Sequence, residues 1–162
     1  HLYGLRKEGT TIVVVTHAYE GGHPDHDAVA FAVQKARRIL REAGEAAPAV
    51  AEMTGYHAGE DGVETGSFLP HEEVQPVVVP LSAAARALKA RMIGCFETQR
   101  HVLSHFPVGG SECLRVAPRY DFTEPPHAGT LFYERHRWGM TGEAFRRNVR
   151  AALDRLFLQP AA

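Results

Sequence analysis

The sequence predicts an α/β fold, a three-layer sandwich of helices around a mostly parallel sheet. The run Thr11–Thr16 is β-branched throughout, which is typical of a parallel strand covered on both faces. Apolar residues at helical spacing follow it. Two further strand-like stretches occur at 48–54 and 74–79, each followed by a loop or a helix pattern. Strands that alternate with helices favour a sheet with helices on its faces.

The first helix is predicted from its two ends. Pro24 suits the first helical position, where a fixed φ is favourable and no N–H is needed. Gly44 is a natural terminator. The glycine pair Gly21-Gly22 before the helix allows positive φ or a close approach of backbone to a ligand. The predicted buried face consists of Ala28, Val29, Ala32, Val33, Ala36, Ile39 and Leu40.

The later elements are less regular in sequence. Residues 55–70 predict a long functional loop, and Ser82 predicts the cap of a helix that continues to about residue 104. The proline-containing segment 106–138 is expected to be irregular, with a short strand at 131–133. Thr141 is expected to cap a last amphipathic helix, whose inward side chains are Phe145, Val149, Leu153 and Leu156.

Composition excludes several classes of protein. A chain of 162 residues fits one domain, 1–162, and its net charge of -1 argues against nucleic acid or an anionic membrane as partner. No apolar run reaches the roughly 18–20 residues that span a bilayer. The two cysteines, Cys95 and Cys113, form no metal-binding pair, and both are expected to be reduced. A cytoplasmic location is the expectation.

The stretch Glu20–Asp27 concentrates the chemistry of the chain on the predicted turn between strand and helix. It contains His23, Asp25 and His26 within four positions. Two histidines three apart at a helix start lie roughly 5–6 Å apart at Cβ, so that one can hold a metal while the other faces a substrate. A catalytic zinc needs three protein ligands, so the turn requires partners from elsewhere. The alternative is a proline-initiated helix with polar capping residues.

The motif His23-Pro24-Asp25-His26, between a strand and an alanine-rich helix, resembles the second signature of the LmbE-like, or PIG-L, family of zinc-dependent de-N-acetylases. The resemblance covers most of the chain. Further segments similar to a bacterial branch of that family are Met53-Thr54-Gly55-Tyr56-His57, Cys95-Phe96-Glu97-Thr98-Gln99 and Trp138-Gly139-Met140.

The resemblance implies a Rossmann-like fold and removal of an acetyl group from an N-acetylated amino sugar or a related small conjugate. It implies that His26 is a zinc ligand and that His23 is catalytic, polarising the amide carbonyl or protonating the leaving amine. Asp25 would assist by orienting these groups. We expect Glu20 to reach a sugar hydroxyl, and Tyr56 and His57 to line the substrate pocket. The zinc would activate water and polarise the carbonyl.

The family's first signature, an Ala-His-Pro-Asp-Asp turn that supplies two further zinc ligands and the base, does not occur in these 162 residues. The sequence therefore reads as the C-terminal part of such a domain, without its first strands, and residues 1–9 as the tail of a helix. His17, His57 and His127 are candidate replacements, although structural roles are favoured for each. An open sheet edge and an apolar helix face would then be exposed and would favour a homo-oligomer.

Two other functions stay open. The chain can be a truncated or non-catalytic domain of this kind that acts as scaffold or assembly partner. A metal phosphoesterase is the weaker alternative, because it needs more carboxylates at strand ends than the sequence offers.

Overall fold

A computed structural model of the chain describes residues 11–60, 62–136 and 138–158. Its strands are β1 (Val13–His17), β2 (Ala49–Met53), β3 (Tyr56–Gly59), β4 (Gly62–Thr65), β5 (Val77–Pro80) and β6 (Ser111–Val116). Its helices are α1 (Pro24–Glu42), α2 (Ala83–Gly94), α3 (Arg100–Leu103), α4 (Phe132–Arg135) and α5 (Gly142–Leu158). The helix tail predicted at residues 1–9 lies outside the described residues.

The main sheet is mixed, with strand order β1-β2-β6-β5. β1 and β2 are parallel, and Val13 lies opposite Ala49, whereas β6 is antiparallel to both β2 and β5. The α/β class is thus confirmed, but the sheet is partly rather than mostly parallel. The difference arises from β6, which lies in the segment predicted to be irregular.

Helix α1 begins and ends where its local sequence predicts. Pro24 is its first residue, and Gly44 follows its end with φ 73°. The Gly44 N–H donates to the Arg41 carbonyl at 3.1 Å, and the Glu45 N–H donates to the Leu40 carbonyl at 2.8 Å. These two bonds satisfy carbonyls that the last turn of a helix otherwise leaves unpaired, and only glycine adopts this backbone conformation without strain.

The core lies where α1 meets α5. Its buried members are Tyr19, Ala30, Phe122, Phe145 and Val149. The prediction of the buried face of α1 is wrong, because Val29 and Ile39 are 44% and 48% exposed. Ala30 and the carboxyl group of Asp27 are buried instead. On α5 the prediction holds for Phe145 and Val149 and fails for Leu156, which is 45% exposed.

Three further segments differ from expectation. The predicted loop at 55–70 contains the hairpin β3–β4. The predicted long helix ends at Gly94 and is followed by a 3₁₀ turn and the short α3. The strand predicted at 131–133 is the start of α4, because the Leu131 N–H donates to the Glu134 carboxylate at 2.9 Å and closes a helical turn.

Strand β1 carries exposed apolar side chains. Among the described residues it is one of the two edge strands of the main sheet, and β5 is the other. Val13 and Val15 of β1 are more than half exposed, so β1 is not covered on both faces as its sequence suggested. Cys95 and Cys113 are both free, and Cys95 is exposed whereas Cys113 is buried. No helix in the described part of the chain is long and apolar enough to cross a membrane.

A buried ion pair joins β2 to β6. Arg115 Nε donates to Glu52 Oε2 at 3.1 Å, and the Tyr120 hydroxyl donates to the same oxygen at 2.8 Å. Arg115 also bonds the Leu69 carbonyl at 2.9 Å and stacks on Phe68, 4.2 Å from the ring centre. Burial raises the pKa of Glu52 to about 7, and the bonds from Tyr120 and Arg115 oppose the rise. The pair therefore ties two strands and two loops together.

Replacing Arg115 with leucine should lower the free energy of unfolding by about 3–5 kcal/mol at about pH 8, because the Glu52 carboxylate would stay buried without its cation. The loss should shrink near pH 5, where Glu52 takes up a proton. Urea unfolding at both pH values measures the loss of stability. The control is Arg147→Leu, at an exposed position of α5, which should change the free energy of unfolding by under about 0.5 kcal/mol. A loss that is the same at both pH values would contradict this account.

Candidate functional site

The turn between β1 and α1 is held by the side chain of Asp27. Its Oδ1 accepts the backbone N–H groups of Glu20 and Gly21, each at 3.2 Å. The Asp27 N–H donates to the His23 carbonyl at 3.2 Å, within the first turn of the helix. Asp27 is fully buried, and burial raises the pKa of its carboxyl group to about 7, although the two amide bonds oppose the rise. The turn is therefore fixed from inside the protein.

Glu20 fastens this turn to the hairpin. Its side chain is buried, and Oε1 accepts the Gly55 N–H at 3.1 Å. Oε2 lies 3.7 Å from Nδ1 of the buried His57, whose Nε2 lies 3.7 Å from a Glu64 carboxylate oxygen. Glu20 and His57, both predicted to contact substrate, thus lie below the surface between the turn and the hairpin. Their contacts support the site from beneath.

Gly22 makes the closest backbone contact of the site. A Cβ atom at this position would lie 1.7 Å from the Tyr56 carbonyl oxygen. The glycine pair does permit close approach, as expected, but at Gly22 the approach is to the chain's own backbone. Gly21 has φ 71° and supplies the left-handed conformation that the turn needs.

His17 and His26 stack on each other beside the turn. Their ring centres are 3.9 Å apart and their planes differ by 1°. Burial, followed by the proximity of His17 and His23, lowers the pKa of His26 to about 4. Burial also lowers the pKa of His17. Both effects favour the neutral imidazole, which is the form that accepts a hydrogen bond or binds a metal.

Five rings form a closed series of contacts that we call the aromatic cup. Its members are His23, His26, Tyr56, Phe132 and Trp138. In order around the cup, the centre-to-centre distances are 5.3 Å (His23–His26), 5.6 Å (His26–Tyr56), 5.4 Å (Tyr56–Phe132), 6.0 Å (Phe132–Trp138) and 4.9 Å (Trp138–His23). Predicted site residues His23, His26 and Tyr56 are thus brought together. Aromatic side chains of this kind line many small-molecule sites.

His23 is oriented by the backbone of its own helix. It is the N-cap of α1, and its Nδ1 accepts the Asp25 N–H at 3.1 Å. In a neutral ring one nitrogen accepts and the other carries the proton, so the proton of His23 is on Nε2. The Asp25 carboxylate lies 3.8 Å from Nδ1, and its side chain is 87% exposed. Asp25 thus contributes chiefly its amide to the position of His23.

A cavity of about 420 Å³ adjoins the cup between α1 and α5. Trp138 belongs to both, and Asp25 lies at the start of α1 on the cavity wall. The other walls are largely apolar and include Phe31, Met140 and Phe145. A ligand that contacts His23 therefore has an apolar space beside it.

The described residues do not complete a metal centre. Among them there is no group of three or more His, Cys, Asp or Glu side chains that can hold an ion. The lone pairs of an imidazole lie in the ring plane, so the parallel rings of His17 and His26 cannot both point at one ion. Of the two other candidates, His57 lies buried between the carboxylates of Glu20 and Glu64. His127 lies beside Gly21 and bonds the Ala128 carbonyl at 2.7 Å.

No protein-family model, curated protein or solved structure matches this chain. Membership of the LmbE-like family is therefore a prediction from the sequence motifs. The aromatic cup and the fixed turn are the features on which a function can be argued. Phe132 carried no sequence signal, because only the folded chain brings it to the turn, whereas Trp138 belonged to one of the motifs.

Replacing Gly22 with alanine should lower the free energy of unfolding by about 2–3 kcal/mol or more, because its Cβ has to displace the backbone of β3. Gly94→Ala is the matched control, since no atom lies within 4 Å of a Cβ built there. Alanine at that helix end should be neutral or stabilising by up to about 1 kcal/mol. Thermal unfolding of both variants measures the difference, and equal behaviour would show that the Gly22 contact is not tight.

The Asp27 carboxyl should make stability fall as pH rises. Its pKa is raised from 3.8 to about 7, so its contribution is fully present below about pH 4 and is lost as pH rises through about 7. Asp27→Asn keeps the acceptor without the charge, so relative to the parent it should gain about 1–3 kcal/mol between about pH 4 and pH 8. Urea unfolding of both proteins across this range measures the difference in their free energies of unfolding. His26 makes stability rise with pH, but it does so in both proteins and therefore cancels from the difference.

Asp27→Ala separates the charge from the hydrogen bonds. It leaves two amides without an acceptor, so relative to Asp27→Asn it should lose about 2–4 kcal/mol across the whole pH range. If Asp27→Asn followed the parent at every pH, the carboxyl would not titrate in this range.

Proposed function

We propose that this chain forms the substrate-facing part of a de-N-acetylase, which hydrolyses the linear amide of an N-acetylated amino sugar or a related small conjugate. The observation that carries the proposal is His23 in the aromatic cup, with Nδ1 occupied by the Asp25 N–H and the Nε2–H of the neutral ring left without an acceptor among the described residues. Such a donor stabilises the carbonyl oxygen of the amide as it becomes anionic.

The surroundings of His23 suit a small conjugate with a ring. Tyr56 and Trp138 offer flat apolar surfaces on either side of the cup. The adjoining cavity has room for an apolar group attached to the sugar, within the size range of small-molecule sites. Glu20 and His57 support this pocket by holding the turn against the hairpin.

The zinc that the motifs imply would find one suitable imidazole. His26 is uncharged at neutral pH, since burial lowers its pKa to about 4, and a neutral ring is what a metal needs. The remaining ligands and the base would have to come from outside the described residues. The roles assigned above are accordingly limited to the chain's own side chains.

We also infer that β1, α1 and β2 belong to a three-layer, Rossmann-like sandwich of the LmbE-like kind. In support, β1 and β2 are parallel and joined by a helix. The exposed Val13 and Val15 lie on one face of the sheet and fit a further layer packed on that face, from outside the described residues or from a second copy. A cytoplasmic setting remains part of the proposal, and the free cysteines are compatible with it.

The test is release of acetate from N-acetylglucosamine by the full-length protein supplied with zinc. His23→Ala should lower kcat/KM by about 10²–10³-fold, because it removes the donor that stabilises the developing oxyanion. His71→Ala is the matched control, since His71 bonds the Glu73 N–H through Nδ1 in the same local arrangement but is not a member of the cup. It should leave kcat/KM unchanged.

The alternative is a non-catalytic scaffold, favoured by the lack of a three-ligand group among the described residues. Metal analysis of the parent protein and His26→Ala separates the two. Bound zinc that is lost with His26 supports the de-N-acetylase. A protein without zinc, without acetate release and unaffected by His26→Ala is the scaffold. If His71→Ala lowered kcat/KM as much as His23→Ala, that result would also contradict the role assigned to His23.

A further inference from the structure

A cleft of about 360 Å³ lies between the second half of α1 and the loop that follows β6. Five basic side chains line it, namely Lys35, Arg37, Arg38, Arg41 and Arg119. The four from α1 are close together because residues three or four apart share one face of a helix. At about 1.5 Å per residue, Lys35 lies about 16 Å along α1 from Pro24, so the cleft is separate from the aromatic cup.

The acidic groups nearest this cleft already have partners. Glu42 accepts the Arg38 Nε–H at 2.6 Å. Asp121 accepts the N–H and the hydroxyl of Thr123, at 2.9 and 2.6 Å. Within the described ranges, the other four basic side chains form no ion pair with a carboxylate. The cleft therefore carries an excess of positive charge, although the chain as a whole is close to neutral.

Arg37 is the centre of the cluster. Its Nε is buried and has no hydrogen-bond partner among the described residues. Burial, and then the charges of Arg41 and Arg119, lower the pKa of its guanidinium group. A buried donor without an acceptor costs free energy, and native proteins seldom leave one so. Gln34 bonds the Pro118 carbonyl at 2.8 Å, which holds the loop against α1 and keeps the cleft formed.

We propose that this cleft binds a small molecule carrying a phosphate group, with Arg37 and Arg119 as its principal ligands from opposite walls. The planar guanidinium group matches two phosphate oxygens at once. A phosphate bound between Arg37 and Arg119 would offset the repulsion among the positive charges of the cluster. Tyr120 and Phe122 also line the cleft and give the rest of the molecule an aromatic surface. One compact cleft of this size suits a small molecule better than the extended track that a nucleic acid needs.

The experiment is isothermal titration of the full-length protein with inorganic phosphate and with pyrophosphate, in low salt without competing polyanions. Saturable binding is expected, and each of Arg37→Gln and Arg119→Gln should weaken it by about tenfold or more. Arg119→Gln is included because Arg37 is more buried, so that Arg37→Gln could weaken binding simply by disturbing the fold. Arg147→Gln is the matched control, since it removes one exposed arginine of α5 outside the cleft.

Three results would overturn the proposal. The first is no saturable binding of either anion. The second is equal weakening by Arg147→Gln, which would mean that only overall charge matters. The third is tighter binding of a single-stranded oligonucleotide than of pyrophosphate, lost in the same variants, which would identify a nucleic-acid surface. Binding of phosphate and pyrophosphate that depends on Arg37 and Arg119 but not on Arg147 supports the site.

Discussion

One buried carboxylate organises the most distinctive part of this protein. Asp27 accepts two amides of the turn that precedes its own helix, where a negative group also complements the helix dipole. The turn, once fixed, directs Glu20 inward to the Gly55 amide, and this bond sets the position of the hairpin. Tyr56 of that hairpin then meets His26. The arrangement of the cup therefore depends on a series of contacts that begins with Asp27, which is fully buried.

Helix α1 carries two chemically different sites. Its first residues contribute His23 and His26 to an aromatic, largely neutral cup. Its second half contributes basic side chains to a cleft whose lining includes no acidic residue in the described part of the chain. Under the two proposals, helix α1 contributes to an amide site at its start and to a phosphate site in its second half. The two sites have different lining residues. The core between α1 and α5 holds that helix in place.

The sequence predicts what local chemistry decides. Pro24 and Gly44 mark the ends of α1 because backbone geometry alone favours them there. Strand β6 escapes prediction because a charged residue normally indicates a surface position, and Arg115 is buried only in company with Glu52 on another strand. The buried face of α1 and the aromatic cup escape prediction for the same reason, because each depends on contacts between residues that are distant in the sequence. His23 was a candidate from its motif, but its neighbour Trp138 comes from the far end of the chain, and no local pattern records that contact.

The carboxylates beneath the cup also have a consequence for how the site moves. The amide hydrogens of Glu20, Gly21 and Gly55 are all bonded to side-chain oxygens of Asp27 or Glu20 instead of to a strand or helix partner. Each can exchange with solvent only when its carboxylate releases it. Their exchange rates thus report the release of these two carboxylates beneath the cup separately from the unfolding of the sheet.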